Sequence, residues 1–458
     1  MLFHTWIFFL FFLIVYSVYL LIRKTRCKNL WLLLASYVFY GWWNPLYLLL
    51  IAWSTTVDFL IVRRMAPAGR SKKWLALSII NNLGLLSFFK YGKFFIENIN
   101  SALSSLSIGY ELAMPGILLP VGISFYVFQS MSYTIDFYRG NVERETSFIR
   151  YATFVSLFPQ LVAGPIERAR NLLPQLKNHP KIRLQDFTDG LSLFVVGLFK
   201  KVALADYIAL YVDKVYGTPG EYESAALLLA TFAFGWQIYF DFSGYTDMAR
   251  GIGRMLGIRL MLNFNNPYLA TGLGDFWRRW HISLSTWFRD YVYVSLGGNR
   301  KGKIITYRNL ILTLLISGLW HGAAWTFLIW GAVHAVGFAL TRNLERNEFY
   351  QVKIPRLFKQ FWVFAFVTLA WIFFRASGWD QAVLILSRIF SFTMTDPQFP
   401  LVMLILILLV WAYQFAYESR ARQIITLAPV RIGTMVFMIL YLAIFATSSN
   451  QPFIYFQF

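Results

Sequence analysis

Two histidines carry most of the chemistry open to this chain. His281 lies within Phe276-Trp277-Arg278-Arg279-Trp280-His281-Ile282-Ser283-Leu284-Ser285, and His321 within Trp320-His321-Gly322. Ionisable side chains are costly in hydrocarbon, and where they occur there they mark substrate paths or proton-transfer sites. Counted from the basic edge at Arg308, a helix carries His321 about 20 Å into the apolar run that follows. A neutral imidazole at that depth can take a proton from a hydroxyl and return it, which is general base and acid work near neutral pH. The competing reading is a histidine hydrogen-bonded between packed helices. Gly318 and Gly322, which allow close approach, together with Trp320 and Trp325, weigh toward the functional one.

His281 stands beside Arg278 and Arg279, cations that disfavour its protonation. It either positions a donor or orients a substrate, or it is an interfacial residue snorkelling with the arginines. His334 falls thirteen residues after His321. At about 100° per residue the two point to nearly opposite faces of any shared helix, so His334 reads as structural. With the single cysteine Cys27 and no histidine pair at i, i+3 or i, i+4, the sequence argues against a metal site. It holds no nucleophile elbow, P-loop or dinucleotide glycine fingerprint. Two polar sets interrupt apolar runs: Gln129, Ser132, Tyr133 and Asp136, then Gln237, Asp241, Ser243, Tyr245, Asp247 and Arg250. They line a tunnel or satisfy one another between helices, and pairing is the better reading for each residue taken singly.

The elements that must hold these residues are membrane helices. Of 458 residues 58% are hydrophobic and 14% charged, with 45 Phe, 26 Tyr and 17 Trp, which excludes an ordinary soluble domain. A span needs about 20 apolar residues, and such runs recur throughout. The expected fold is therefore an all-α polytopic membrane protein of about ten to twelve transmembrane helices plus re-entrant or interfacial ones, forming a single domain over 1–458. The basic cluster Arg23, Lys24, Arg26 and Lys28 follows the first apolar run, whereas a cleavable signal has its charge in front. The first helix is thus expected to be retained, with its amino end outside. The net charge of +20 gathers in loops between apolar runs, as cytoplasmic loops require. Topology accounts for most of it, an anionic substrate on the same face for a minor share, and nucleic acid is not expected.

Along the chain, Trp42-Trp43-Asn44-Pro45 should break the run 29–62 into two helices. Spans are expected at 74–93, 115–134, 188–212, 224–245, 360–375, 400–417 and 432–449, with 97–107 as an outside segment. The short run 151–165, ending in Ala163-Gly164-Pro165, reads as entering the membrane and turning back. The mixed aromatic and charged region 247–308 reads as interfacial or re-entrant helices. The run 309–341 would be about 50 Å long as one helix, too long for one crossing, so it should bend at His321.

The segments 276–291, Gly297-Gly298-Asn299-Arg300-Lys301 and Gly318-Leu319-Trp320-His321-Gly322 resemble those of the membrane-bound O-acyltransferase (MBOAT) family. So do Pro120-Val121-Gly122-Ile123-Ser124-Phe125, Ala163-Gly164-Pro165-Ile166-Glu167 and Asp241-Phe242-Ser243-Gly244-Tyr245-Thr246-Asp247. Within the family the chain is most similar to the alginate O-acetyltransferase branch. The matches run in order from about residue 1 to 340.

The resemblance implies an acyl group, acetyl foremost, taken from a cytoplasmic thioester such as acetyl-CoA and passed at His321 with His281 in support. No bound cofactor is implied. It also implies delivery across a bacterial inner membrane to a hydroxyl of an exopolysaccharide or cell-wall polysaccharide. A separate outer-face SGNH-type, serine hydrolase-like acyltransferase partner is implied too. Trp320, Trp280, Arg278, Arg279, Asp241, Asp247 and Gln129 are the candidates for donor or substrate binding. Base and transient acyl carrier both stay open for His321. The readings from other classes are a transporter or flippase without covalent chemistry, and a non-catalytic subunit of a polysaccharide synthesis complex. Neither gives a reason for Trp-His-Gly at a helix bend.

Overall fold

The computed structural model describes residues 1–66, 69–114, 116, 119–393, 395–445 and 453–454. Among them every regular element is helical and no strand occurs. A helix satisfies its backbone hydrogen bonds within one segment, as hydrocarbon demands. The chain is an all-α polytopic membrane protein. Among the described residues four helices are long and apolar enough to cross a membrane: Ser224–Met255, Trp325–Leu344, Arg356–Arg375 and Ala428–Phe445. Trp6–Ile22 and Leu401–Tyr417 are shorter apolar helices. Residues 446–449 of the last expected span, and 115, 117 and 118 of the one at 115–134, lie outside the described residues.

The long helices are fewer than the apolar runs because several runs are interrupted. Wide π-helical turns at Ser87–Tyr91 and Phe199–Ala205 split the runs after Lys72 and Leu184 into shorter pieces. The run at 29–62 breaks at Trp42–Pro45 as expected, giving Lys28–Gly41 and Tyr47–Met65. Most of the segment 97–107 is helical, within Gly92–Ser105. Its polar side chains bond back to the helix itself, Asn98 Nδ2 to the Phe94 carbonyl at 2.7 Å and Ser105 Oγ to that of Ser101 at 2.8 Å. Such i−4 bonds let Asn and Ser sit inside a helix.

The chain divides into two compact units, residues 1–191 with 249–261, and residues 192–248 with 262–458. In the first, a buried carboxylate ties three helices together. Asp58 accepts from Ser78 Oγ at 2.6 Å, Asn82 Nδ2 at 2.8 Å and Ser130 Oγ at 2.5 Å. Gln129 lies in this unit, and its amide donates to the Phe154 carbonyl.

The second unit holds both motif histidines. Its centre is aromatic, with Trp236, Trp280, Trp330 and Trp371 almost wholly buried and Trp330 stacked on Trp371 at 5.7 Å and 20°. Rings of this size dominate core energetics. The run 309–341 does not form one helix. Gly302–His321 ends at His321, Gly322 is extended, and Trp325–Leu344 begins after Ala324, so the two pack as an antiparallel hairpin. Tyr307 and Arg342 meet at its open end, with the guanidinium 5.7 Å from the ring centre.

Glycine sets how closely the hairpin arms approach. A Cβ on Gly331 would lie 2.6 Å from the Leu314 carbonyl oxygen, and one on Gly318 2.3 Å from that of Phe327. Both obstacles are backbone and cannot swing aside. Gly331→Ala is expected to destabilise the unit by about 1–3 kcal/mol, the usual cost of overpacking, read as a lower midpoint of thermal unfolding in detergent. An unchanged midpoint would show that the arms separate freely.

Candidate active site

His321 sits at the closed end of this hairpin, 4% exposed, where the helix stops and its last turn meets other elements. Three rings surround the imidazole: Trp320 at 5.0 Å, Trp330 at 5.1 Å and Phe374 at 5.3 Å. The bend expected at His321 is present. Gly322 is the residue that permits the tight turn, since a Cβ there would come within 2.1 Å of the Phe327 ring.

His281 stands between the short helices Leu273–Arg279 and Ile282–Trp287 with φ +42° and ψ +55°, a left-handed conformation uncommon for any residue but glycine. Asn263 holds it there. The Asn263 carbonyl accepts the Ile282 N–H at 2.9 Å. Its side-chain oxygen accepts the Ser283 N–H at 3.1 Å and the Ser283 hydroxyl at 2.9 Å. His281 Nδ1 lies 3.1 Å from the same oxygen. A backbone N–H can only donate, so the atom facing Ser283 must be the amide oxygen. His281 Nδ1 therefore carries the proton, and the lone pair of the neutral ring resides on Nε2.

Burial pushes the His281 imidazole down to about 3, with a backbone hydrogen bond opposing. Its neutrality thus comes from desolvation, and the arginines beside it in sequence do not supply it. Phe242 meets the ring edge-on at 4.6 Å, and Trp320 lies 6.2 Å away. Trp320 thus neighbours both imidazoles.

A cavity of about 670 Å³ adjoins this centre. One wall is the helix Gly302–His321, which contributes Leu310, Thr313, Leu314 and Ser317. Ser317 lies one turn before His321 on the same face. The opposite wall carries Trp277, Ile282, Leu284 and Phe288, and the rim carries Arg278, Arg289, Arg342 and Arg346 around Glu345. Glu345 accepts the Leu273 N–H at 2.9 Å. Burial pushes its carboxyl up, with that hydrogen bond opposing. Arg278 pairs with Asp275 at 3.5 Å and Arg289 with Asp290 at 2.8 Å, so Arg342 and Arg346 are the cations that make this part of the cavity a place for an anion.

The candidates named from sequence divide sharply. His321, His281 and Trp320 come together, and Arg278 reaches the cavity rim. Arg279 instead pairs with Asp275 at 3.2 Å and Glu418 at 2.5 Å. Trp280 is packed among Phe264, Phe276 and Trp371. Asp241 and Asp206 enclose Lys201 at 2.6 and 2.8 Å, and Asp247 binds Lys200 at 2.7 Å. These acids are engaged in pairing, the reading favoured for them singly. Sequence reasoning did not single out Asn263, whose role depends on a contact 18 residues away. It also passed over Arg342 and Arg346, which read as the charged end of a span. His334 is closer to the site than expected: the broken helix removes the opposite-face argument, and Trp330 touches both His321 and His334.

Comparison with known proteins gives this geometry a lineage. Residues 123–379 match the membrane-bound O-acyltransferase family, MBOAT. A probable alginate O-acetylase of Azotobacter vinelandii is 44% identical over 81% of this chain and 74% of its own length. One from Pseudomonas aeruginosa is 41% identical over 93% of this chain and 78% of its own. The peptidoglycan O-acetyltransferase of Helicobacter pylori is 37% identical, over 84% and 79%. A histidine at a helix break, a neutral second histidine clamped beside it, and a match across more than half the chain lead to one conclusion: this chain belongs to the membrane-bound O-acyltransferase family.

Proposed function

We propose that this chain, acting as a single acyltransferase domain over 1–458, takes an acyl group from a cytoplasmic thioester and passes it at His321 toward the outer face of a bacterial inner membrane. There the group reaches a hydroxyl of an exopolysaccharide or cell-wall polysaccharide through an SGNH-type partner. Acetyl-CoA is the donor that fits best. The observation that carries this reading is the cavity, which joins arginines with apolar side chains and includes Ser317, one turn before His321. A coenzyme A thioester has that polarity, with phosphates at one end and an acyl group at the other. The printed names of the relatives, alginate O-acetylase and peptidoglycan O-acetyltransferase, support a carbohydrate acceptor and an acetyl group.

Within the site His281, held neutral by burial and fixed in one tautomer by Asn263, lines up behind Trp320. In this reading it orients the group that His321 acts on. His321 accepts the hydroxyl proton as the new ester bond forms, and the departing thiolate takes that proton as the C–S bond breaks.

The test is the mouth. The double substitution Arg342→Ala with Arg346→Ala is expected to raise KM for acetyl-CoA by about 10- to 100-fold, the range for losing charge-assisted contacts. Turnover at saturation should change little, and the effect should shrink with added salt. An unchanged KM would move the donor elsewhere.

A further inference from the structure

Trp277, Trp330 and His334 form a cluster of three rings in mutual contact. Their centres are separated by 5.7 Å for the two tryptophans, 5.2 Å for Trp277 and His334, and 4.7 Å for Trp330 and His334. Trp330 and His334 are 0% and 1% exposed. The indole nitrogens of both tryptophans and both imidazole nitrogens of His334 are buried with no hydrogen-bonding partner among the described residues. Two of these are obligate donors, and a neutral imidazole adds one donor and one acceptor. Leaving such groups unmade in an apolar interior is strongly unfavourable. Phenylalanine at each position would keep an aromatic ring there without that cost. Buried polar groups in native proteins have partners, so four together in one ring cluster point to a guest rich in acceptors.

The position of the cluster selects the guest. Trp277 lines the arginine-rimmed cavity, and the Trp330 ring lies 5.1 Å from that of His321. An acceptor that enters through the cavity and stops beside His321 is the acyl oxygen of the donor. Resting on the reading of that cavity as the thioester site, we propose that the N–H groups of Trp277, Trp330 and His334 receive the thioester carbonyl oxygen and stabilise the oxyanion that develops on it. As the acceptor hydroxyl attacks the carbonyl carbon, the C=O electron pair moves onto the oxygen facing these donors, and the hydroxyl proton goes to His321. The carbonyl then re-forms, the C–S bond breaks, and the thiolate leaves with the proton from His321. Preorganised donors aimed at developing charge in a water-poor site contribute heavily to such steps. Placing two of them on indole rings, which cannot ionise, keeps the site neutral when empty.

The experiment uses the full chain in reconstituted membranes, with Trp330→Phe and His334→Phe, which keep a ring in place and remove the nitrogens. Two analogues of acetyl-CoA are the probes: the ketone in which a methylene replaces sulfur, and S-ethyl-coenzyme A, which lacks the carbonyl oxygen. The parent protein is expected to bind the ketone about tenfold more tightly, the worth of one or two hydrogen bonds. Each variant should lose that preference while binding S-ethyl-coenzyme A as before, which separates loss of the donors from loss of the cavity. Turnover should fall about 100-fold per donor removed. A ketone preference retained in both variants overturns the proposal and leaves a cluster filled by water only. If the parent binds neither analogue, the donor cavity itself is misassigned and the proposal goes with it. Should Arg342→Ala with Arg346→Ala weaken both analogues while Trp330→Phe changes neither, the cavity reading stands and the ring cluster alone is refuted.

Discussion

His321→Ala is expected to reduce acyl transfer by at least about 100-fold, the lower bound for losing a general acid–base group, while the protein stays inserted and abundant. The expectation rests on geometry. The imidazole stands at the end of a helix, in a cage of Trp320, Trp330 and Phe374, one turn beyond the Ser317 that lines the cavity. Truncation to alanine also removes volume from a packed cage, and that alone lowers stability. His321→Gln separates the two effects, since it restores bulk and hydrogen-bonding capacity without a titratable ring. Both variants should lose polymer ester content, measured by alkaline release of the acyl group, at unchanged protein level. Ester content near normal in His321→Gln would return the residue to a packing role.

The helix break at His321 was more legible in the sequence than the arginine-bearing part of the cavity. Trp-His-Gly after Gly318 marks a helix end because glycine at 322 is the residue a neighbouring Phe327 ring can overlie, and a 33-residue apolar run cannot cross a bilayer of about 30 Å straight. Both signals are local. The clamp on His281 is not, because Asn263 reaches it only once the chain between them has folded back. Charge misled in the same way. Arg279 and Arg278 are neighbours in sequence and share Asp275, yet Arg279 is also held by Glu418 and half-buried, while Arg278 is exposed and lines the cavity. A formal charge says where a side chain is basic and leaves open what already neutralises it. His334 shows the cost of assuming one helix: helical phase is meaningful only within an unbroken segment, and the break at Gly322 resets it. Gln129 shares one face of an otherwise apolar span with Ser132, Tyr133 and Asp136, a spacing that marks a polar residue needing a partner but could not name the Phe154 carbonyl that it serves.

The purified chain with acetyl-CoA is expected to leave a polysaccharide unmodified, with no ester above background, until an outer-face acyltransferase partner is added. Ester should then accumulate, carried first on the nucleophile of that partner. The argument is one of reach and grip. Recognising one hydroxyl among many on a hydrated polymer takes a concave, polar surface with several placed hydrogen bonds. The 458 residues are 58% hydrophobic, and the cavity one turn from His321 is lined by tryptophan, leucine, isoleucine and phenylalanine with a few hydroxyl side chains and arginines. Such walls suit a small acyl group on a thioester and offer a polysaccharide few partners. A serine hydroxyl on a protein loop, by contrast, is small enough to reach a buried imidazole. Labelled acetyl-CoA in proteoliposomes, with and without the partner, decides between the two routes. Polymer acetylated at full rate by this chain alone would show that acceptor recognition is built into the membrane subunit, and that transfer is completed at His321 without a relay.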